Sequence, residues 1–311
     1  MRIYHSIDDF SKLNYAVVTS GTFDGVHLGH QKIISRLKEV AEKSKGETVV
    51  ITFWPHPRLI LKPEDNTLKL LNTFEEKAEL LKQQGIQHLL RIPFTKEFSQ
   101  ITSKEFISTI LVNTIGTKKL VIGYDHRFGN NREGSFEQLK ISGPTHGFDV
   151  EEIERQDVDH VAVSSSKIRK AIEEADLGTA THLLGRPYSI SGQVVRGDKL
   201  GRVLGYPTAN IDLDSRLKLI PADGIYAVTV RHEHSIFKGM LYIGNRPTVN
   251  GTKRAIEVNI FDFNKEIYGE TLTVYFHQLI RSDSKFQDLE ALKLQLHQDK
   301  VDALQVLSNF K

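Results

Sequence analysis

Between residue 15 and about residue 155 the chain alternates two periodicities. Uninterrupted apolar runs read as buried strands: AVVTS (16–20), TVVITF (48–53), HLLRI (88–92) and KKLVIG (118–123). Segments of helical spacing lie between them, first over about 28–44 and then over FEEKAELLKQQG (74–85). Thr73 with Glu76 introduces the second as a capping box, and Thr102 with Glu105 introduces a third in the same way. Strands alternating with helices predict a parallel sheet covered on both faces, and such sheets bind ligands beyond the carboxyl ends of their strands. Three segments of unusual composition lie just there, at 21–30, 54–58 and 123–134.

The pattern changes near residue 185. Gly185 and Pro187 break the helical spacing, and short β-type runs follow at 188–195, 225–230, 236–243, 255–262 and 271–276. Turn residues separate them, which predicts a compact antiparallel barrel or sandwich. From Ser284 onward a helical period returns, carried by Leu289, Leu292, Leu296, Val301, Leu304 and Leu307. The boundary is placed at 182–187, giving domains of 1–183 and 184–311.

Composition narrows the function classes. A chain of 311 residues suffices for two separate cores. Hydrophobic residues at 39% and charged residues at 26% are ordinary for a globular chain in water. The net charge of +2 supplies no global pull toward nucleic acid or an anionic membrane, so neither is an expected partner. There is no cysteine, which excludes disulfides, thiolate metal sites and cysteine nucleophiles. No signal-peptide pattern and no apolar run of about 18 residues occurs, so a cytoplasmic location is expected.

The stretch GTFDGVHLGH (21–30) follows the first strand and runs into the first helix. Its glycines allow tight turning and close approach of backbone to a ligand. The helix beginning near Leu28 offers N–H groups and a dipole that attract anions. His27 and His30 are three apart and share a face of its first turn. Two imidazoles there suit phosphate oxygens, most of all where charge builds up during phosphoryl-type transfer. A structural turn accounts for the glycines equally well, and a histidine pair can also hold zinc. The stretch matches neither G-x-G-x-x-G nor a Walker A loop. Taken singly, PHP (55–57) reads as a rigid turn and SSSKIR (164–169) as an N-cap before an amphipathic helix.

In the second half, GDKLGRVLGYPTANI (197–211) repeats glycine at 197, 201 and 205 with cations between. It reads as a surface loop or as a flap whose N–H groups meet phosphate. Thr208 and Asn210 are two apart, so on extended chain their oxygens point the same way, as magnesium ligands or as groups that close a turn. Glu257 lies in the alternating run AIEVNIFDF (255–263), on the face it shares with Ala255, Asn259 and Phe261. It reads as an exposed strand carboxylate or as a base for an alcohol nucleophile.

Together and in this order, the segments resemble the bifunctional bacterial riboflavin kinase/FAD synthetase family. GTFDGVHLGH resembles the G-[TN]-F-D-G-V-H-x-G-H signature of the HxGH nucleotidyltransferases. TFWPHPR (52–58), VIGYDHRFGNNREG (121–134) and SSSKIRKAI (164–172) resemble the family's TFxPHP, G-x-D/N-F-x-F-G and SST-x-I-R segments. The family's G-x-x-x-G-R-x-L-G-[FY]-P-T-A-N, G-[IV]-Y-A, I-G-x-R-P-T, E-V and Y-G features occur at 197–210, 224–227, 243–248, 257–258 and 268–269. The resemblance implies a Rossmann-like α/β N-terminal domain with a parallel sheet and a C-terminal antiparallel six-stranded β-barrel with a C-terminal helix. It implies AMP transfer from ATP to FMN in the first, and phosphorylation of riboflavin with ATP and Mg²⁺ in the second.

By the same resemblance, ATP in the first domain would meet Gly21, Phe23, Asp24, His27, His30, Asp125, Ser165 and Arg169, with His27 and His30 stabilising the developing charge. Flavin there would meet Pro55, His56, Pro57 and Arg58. In the second domain Gly197, Lys199, Gly201, Gly205, Pro207, Thr208 and Asn210 would hold the nucleotide, Thr208 and Asn210 also Mg²⁺. Glu257 would be the general base and Arg281 would flank the flavin. The chain departs from the family pattern at His126, Ser166, Asn259 and Asp283, where an apolar residue, Thr, His and Glu are usual. A non-catalytic binding protein on this scaffold would lack the base or the histidines, and Glu257, His27 and His30 are all present. The partners implied are riboflavin, FMN and ATP, for a monomer or weak homo-oligomer.

Overall fold

The computed structural model describes residues 1–311 except 66, 125, 155–156, 159–160, 198–199, 214, 249–250 and 311, and the side chains of these and of 157–158, 161, 200, 246–248 and 251–253 are not described. Asp125 and Lys199 therefore lie outside the described residues. The chain divides into two compact units, Met1–Ser165 and Ser166–Lys311.

In the first unit six strands run parallel: β1 (Arg2–Tyr4), β2 (Ala16–Ser20), β3 (Glu47–Trp54), β4 (His88–Pro93), β5 (Thr117–Gly123) and β6 (Asp149–Ile153), in the order β1-β4-β3-β2-β5-β6. Alternate residues of the central strands feed two cores. Ala16, Val18, Val49, Ile51, Leu90, Ile92, Leu120 and Ile122 face one. Val17, Val50, Leu89 and Val121 face the other. Burial on both faces is why these strands read as unbroken apolar runs. The second core is closed by α1 (Leu28–Ser44), through Ile34, Leu37, Val40 and Ala41. After the short α2 (Pro57–Leu61), α3 (Phe74–Gln83) adds Phe74, Ala78 and Leu81 to that core, behind the expected Thr73–Glu76 capping box.

The opposite core is closed by α4 (Ser103–Glu105), whose expected Thr102–Glu105 capping box is present, and by its continuation as a π-helix over Phe106–Ile115. The wider turn places Phe106, Ile107, Ile110, Leu111 and Ile115 on one buried face, and the Thr117 hydroxyl donates to the Leu111 carbonyl at 2.7 Å where the helix ends. α5 (Phe136–Thr145) follows, then a short antiparallel pair, β7 (Asp157–Val158) and β8 (Val161–Ala162). The apolar pattern gives no sign of β1 or β6. Both are edge strands; β6 carries Asp149, Glu151 and Glu152, and Arg36 of α1 pairs with Glu151 at 2.6 Å.

α6 (Ser165–Glu173) begins at the last residue of the first unit, and α7 (Leu177–Leu184) ends on Gly185, whose φ of 72° caps it. The second unit is a closed antiparallel barrel. Its strands are β9 (Tyr188–Val195), β10 (Ala209–Asp212), β11 (Gly224–His232), β12 (Ser235–Thr248), β13 (Gly251–Ile260) and β14 (Thr271–Arg281), in the order β10-β13-β12-β11-β14-β9. A one-turn helix, α8 (Leu200–Val203), precedes β10. β10 escapes the apolar pattern because it has only four residues and carries two polar ones.

The long helix α9 (Leu289–Val306) covers the outside of the barrel, where Ala227, Met240 and Phe261 pack on Ala303 and Leu307. The expected C-terminal helix is present, but not all of its periodic residues are buried. Leu289, Val301 and Leu304 are 55%, 46% and 40% exposed, whereas Asp299 is fully buried. The Arg281 Nε and Nη2 donate to the two Asp299 oxygens at 2.8 Å each, and Gln295 donates to the same carboxylate at 2.9 Å. A two-pronged ion pair, rather than a leucine stripe, fixes the face that α9 turns to the barrel. Replacing Asp299 by Ala leaves the half-covered Arg281 without this partner. Urea unfolding is expected to show a loss of about 2–3 kcal/mol, and an unchanged midpoint would show that the pair does not hold the helix.

Candidate active sites

In the first unit, the loop between β2 and α1 turns through left-handed backbone at Phe23, Gly25 and Val26, with φ of 48°, 89° and 40°. A phenylalanine and a β-branched valine there cost roughly 1–3 kcal/mol each and persist only where surrounding contacts over-determine the fold. Those contacts are present. The Asp24 carboxylate, 2% exposed, accepts the N–H of Leu71 at 3.0 Å and of Asn72 at 3.2 Å. The Ser165 hydroxyl donates to the Asp24 carbonyl at 2.8 Å, and the Thr52 hydroxyl donates to the Thr22 carbonyl at 3.2 Å. Lys77, 2% exposed, donates to the Thr52 oxygen at 3.2 Å. The Phe23 ring is buried beside His30, with centroids 5.0 Å apart.

The loop delivers His27 to the N-cap of α1. Its Nδ1 accepts the His30 N–H at 3.3 Å, and the two imidazoles stack at 3.6 Å with planes 15° apart. With Nδ1 an acceptor, the proton of a neutral His27 ring sits on Nε2, which can donate outward. The first turn of α1 carries no acidic residue, so the positive end of its dipole is not offset from within. Stacked imidazoles at such a terminus suit an oligophosphate.

The structure brings Gly21, Phe23, His27, His30 and Ser165 to this loop and its anchor points. The Asp24 carboxylate is turned to the 71–72 backbone, so its part is to fix the loop. Arg169 follows Ser165 by one turn of α6 and is half-buried. His126 shares a hydrogen bond between its Nε2 and the Ser20 hydroxyl at 3.3 Å, and its ring stacks near Phe128. Pro55 and Pro57 flank His56, whose Nδ1 accepts the Arg58 N–H at 3.2 Å and caps α2. Arg58 donates to Asp65 at 2.6 and 2.9 Å, and the Thr67 hydroxyl together with Arg58 holds that carboxyl down at about 2. Thr52, Asn72 and Lys77 were not singled out from sequence. The one available signal was a lysine on the apolar face of α3, among Phe74, Ala78 and Leu81.

In the second unit the described residues of the glycine segment close over β10. A Cβ on Gly197 would lie 2.2 Å from the Asn210 amide nitrogen, and one on Gly201 would lie 2.4 Å from the Tyr206 carbonyl and 3.3 Å from the Thr208 hydroxyl. Gly205 has a φ of 85°. Pro207 is held from behind by Asn259, whose amide donates to its carbonyl at 2.6 Å. Asn210 stands directly opposite Glu257 in the β10–β13 ladder. The Thr208 hydroxyl donates to the Glu257 carboxylate at 3.1 Å. Glu257 is 6% exposed, on the face it shares with buried Asn259 and Phe261, so the reading as a solvent-facing carboxylate is excluded.

A pocket of about 80 Å³ opens at Thr208, lined also by Arg202, Pro207, Phe263, Lys265, Glu266 and Tyr268. Two cations and two aromatic rings beside the Thr208 hydroxyl suit a nucleotide. A larger cavity of about 430 Å³ lies between Leu204–Tyr206 and α9, with Lys293, His297 and Lys300 on the helix side. Arg281 is engaged by Asp299 and by Ser282 and Ser284, so it acts on this region by holding α9. Asp283 accepts the Tyr242 hydroxyl at 3.1 Å.

Residues 9–167 match the FAD synthetase family and residues 184–307 the riboflavin kinase family. The bifunctional riboflavin kinase/FMN adenylyltransferase of Pseudomonas fluorescens is 39% identical over 284 residues, 91% of this chain and 90% of its own. That of Escherichia coli is 37% identical over 288 residues, 92% of this chain and 91% of its own. A solved structure described as a macrolide-efflux protein from Streptococcus pneumoniae superposes with a TM-score of 0.88 at 33% identity, covering 100% of this chain and 99% of that one. Among the described residues, no helix is long and apolar enough to cross a membrane.

Replacing Asp24 by Ala strands the Leu71 and Asn72 N–H groups and releases the strained loop. The expected loss is about 3 kcal/mol of stability in urea unfolding; a loss below about 0.5 kcal/mol, the range of an ordinary surface change, would remove Asp24 as the loop's anchor.

Proposed function

The chain belongs to the bifunctional riboflavin kinase/FMN adenylyltransferase family, and we propose that its two reactions are carried by the two constellations described above. Riboflavin becomes FMN at Glu257, and FMN becomes FAD at the His27–His30 pair. The observation that carries this is the buried Glu257 carboxylate bonded to Thr208 within the riboflavin kinase match, with the stacked imidazoles at a helix N-terminus within the FAD synthetase match.

In the kinase half, Glu257 takes the proton of the terminal ribityl hydroxyl as that oxygen attacks the γ-phosphorus of ATP. The bond to the bridging oxygen breaks and ADP leaves. Arg202 and Lys265 line the pocket where the nucleotide's negative charge would lie. The donors beside Glu257, a Thr208 hydroxyl and an Asn210 amide packed under Gly197, are hard oxygen groups that suit Mg²⁺. Thr208 and Asn210 would hold it, and the bound ion would offset triphosphate charge. The backbone of 197–206 would cover the nucleotide, with Lys199 among its cations.

In the adenylyl-transfer half, an FMN phosphate oxygen attacks the α-phosphorus of ATP and pyrophosphate leaves. The attacking oxygen carries no proton, so the protein's work is orientation and charge stabilisation. His27 Nε2–H, His30 and the N-terminus of α1 receive phosphate charge, with Ser165 and Arg169 contributing from α6 and Asp125 near the nucleotide. Pro55, His56, Pro57 and Arg58 would border the flavin.

Residues 1–183 are assigned to adenylyl transfer and 184–311 to phosphorylation, which keeps Ser165 and Arg169 together and agrees with the start of the kinase match at 184. Both reactions consume ATP, which supports a cytoplasmic enzyme. A monomer or weak homo-oligomer completes the reading.

Purified protein incubated with riboflavin, ATP and Mg²⁺ is expected to yield FAD on separation of the flavins; FMN alone would leave only the kinase half, and neither product would favour a binding protein. Glu257→Ala is expected to lower FMN formation by about 10²–10⁴-fold while sparing FAD formation from supplied FMN. His30→Ala is expected to do the reverse, by about 10²-fold or more. A folded variant that loses both reactions would refute two independent sites. Gly201→Ala, which pushes a methyl group into the Tyr206 carbonyl, is expected to slow FMN formation by about tenfold or more, read as initial rate, with FAD formation unchanged.

A further inference from the structure

The ammonium of Lys77 takes no part in either reaction as derived above. It lies on the face of α3 that packs against the sheet and is 2% exposed. Its Nζ donates to Thr52 Oγ1 at 3.2 Å, and that hydroxyl in turn donates to the Thr22 carbonyl at 3.2 Å, at the start of the strained loop. The Trp54 ring centroid lies 5.3 Å from Nζ, and the buried Asp24 carboxylate attracts the charge. Lysine is almost never fully buried without such partners.

We propose that Lys77 is a positioning residue for adenylyl transfer: its ammonium balances the buried Asp24 carboxylate and, through Thr52, holds the backbone that aims the His27–His30 pair. The proposal rests on the reading of the first unit given above.

Burial pushes the Lys77 pKa down to about 8, against the pull of Asp24. Above that pH the side chain still donates to Thr52, but its attraction for the Asp24 carboxylate beneath the loop is lost. Arg91 of β4 and the His5 ring lie against Phe74, Glu76 is taken by the Thr73 N–H, and Lys38 of α1 lies by Gly85. β3 presents Thr52 and Trp54. The effect on stability has the opposite sign. Between about 8 and 10.5 the unfolded chain keeps the Lys77 proton and the folded chain does not, so stability rises with pH. A fall in rate over that range is therefore not unfolding caused by this group.

The test measures kcat for FAD formation from FMN and ATP between about pH 6.5 and 9.5, in the wild type and in Lys77→Met. FMN formation by the same samples serves as internal control, and urea unfolding as the check on fold. The wild-type rate is expected to fall above about pH 8 by up to about tenfold, levelling toward the variant's rate. The variant is expected to be slower by about tenfold or more at pH 7, flat above 8, and unchanged in FMN formation. A flat wild-type profile, the same fall in the variant, or a folded variant with the wild-type rate would overturn the proposal. If Lys77→Met does not fold, the wild-type profile against its own FMN formation decides. A wild type that forms no FAD at any pH would overturn the functional reading and this role with it.

Discussion

Between Thr22 and His27 the backbone passes three times through the left-handed region, and the Asp24 carboxylate at the centre of that turn accepts two N–H groups from the 71–72 segment. The placement of His27 and His30 follows from this constraint. A relaxed loop would carry His27 away from the N-cap of α1 and separate the stacked imidazoles. The strain is opposed by groups from three other segments: Leu71 and Asn72, Thr52 on β3, and Ser165 at the start of α6. Such concentration of unfavourable backbone in one loop is the pattern expected where geometry matters more than local stability.

The second unit solves the same problem of precision differently. Asn210 and Glu257 stand on neighbouring strands of a closed barrel, so the hydrogen-bond ladder itself sets them opposite each other, and Thr208, just before β10, donates to the same carboxylate. Close packing finishes the arrangement. The absent side chains of Gly197 and Gly201 leave room for the Asn210 amide, the Tyr206 carbonyl and the Thr208 hydroxyl, and Asn259 fixes Pro207 from the other side.

Much of this was legible in the sequence, for physical reasons that can be named. β2, β3, β4 and β5 stood out because strands buried on both faces are apolar throughout. Both capping boxes formed as read. The edge strands β1 and β6 did not stand out, because main-chain pairing holds them and their side chains need not be apolar. The helix α9 was legible from its period, but its buried face was not, because a carboxylate, Asp299, occupies its centre. The glycines at 197 and 201 were visible, but what they touch is a tertiary matter. Lys77 belonged to no motif and Thr52 only opened the TFWPHPR segment; their meaning comes from a hydrogen-bonded chain running between α3, β3 and the loop.

The pairing of Asn210 with Glu257 also governs how this barrel can change length over time. Side chains alternate sides along a strand, so one residue inserted or deleted within β10 would turn Asn210 away from the carboxylate and bury its neighbours' wrong faces. Insertions are tolerable at hairpin tips such as 233–234, between β11 and β12. Descendants of this chain are thus free to lengthen by such tips, while the short segment from Pro207 to Asp212 is held to a fixed residue count by its geometry.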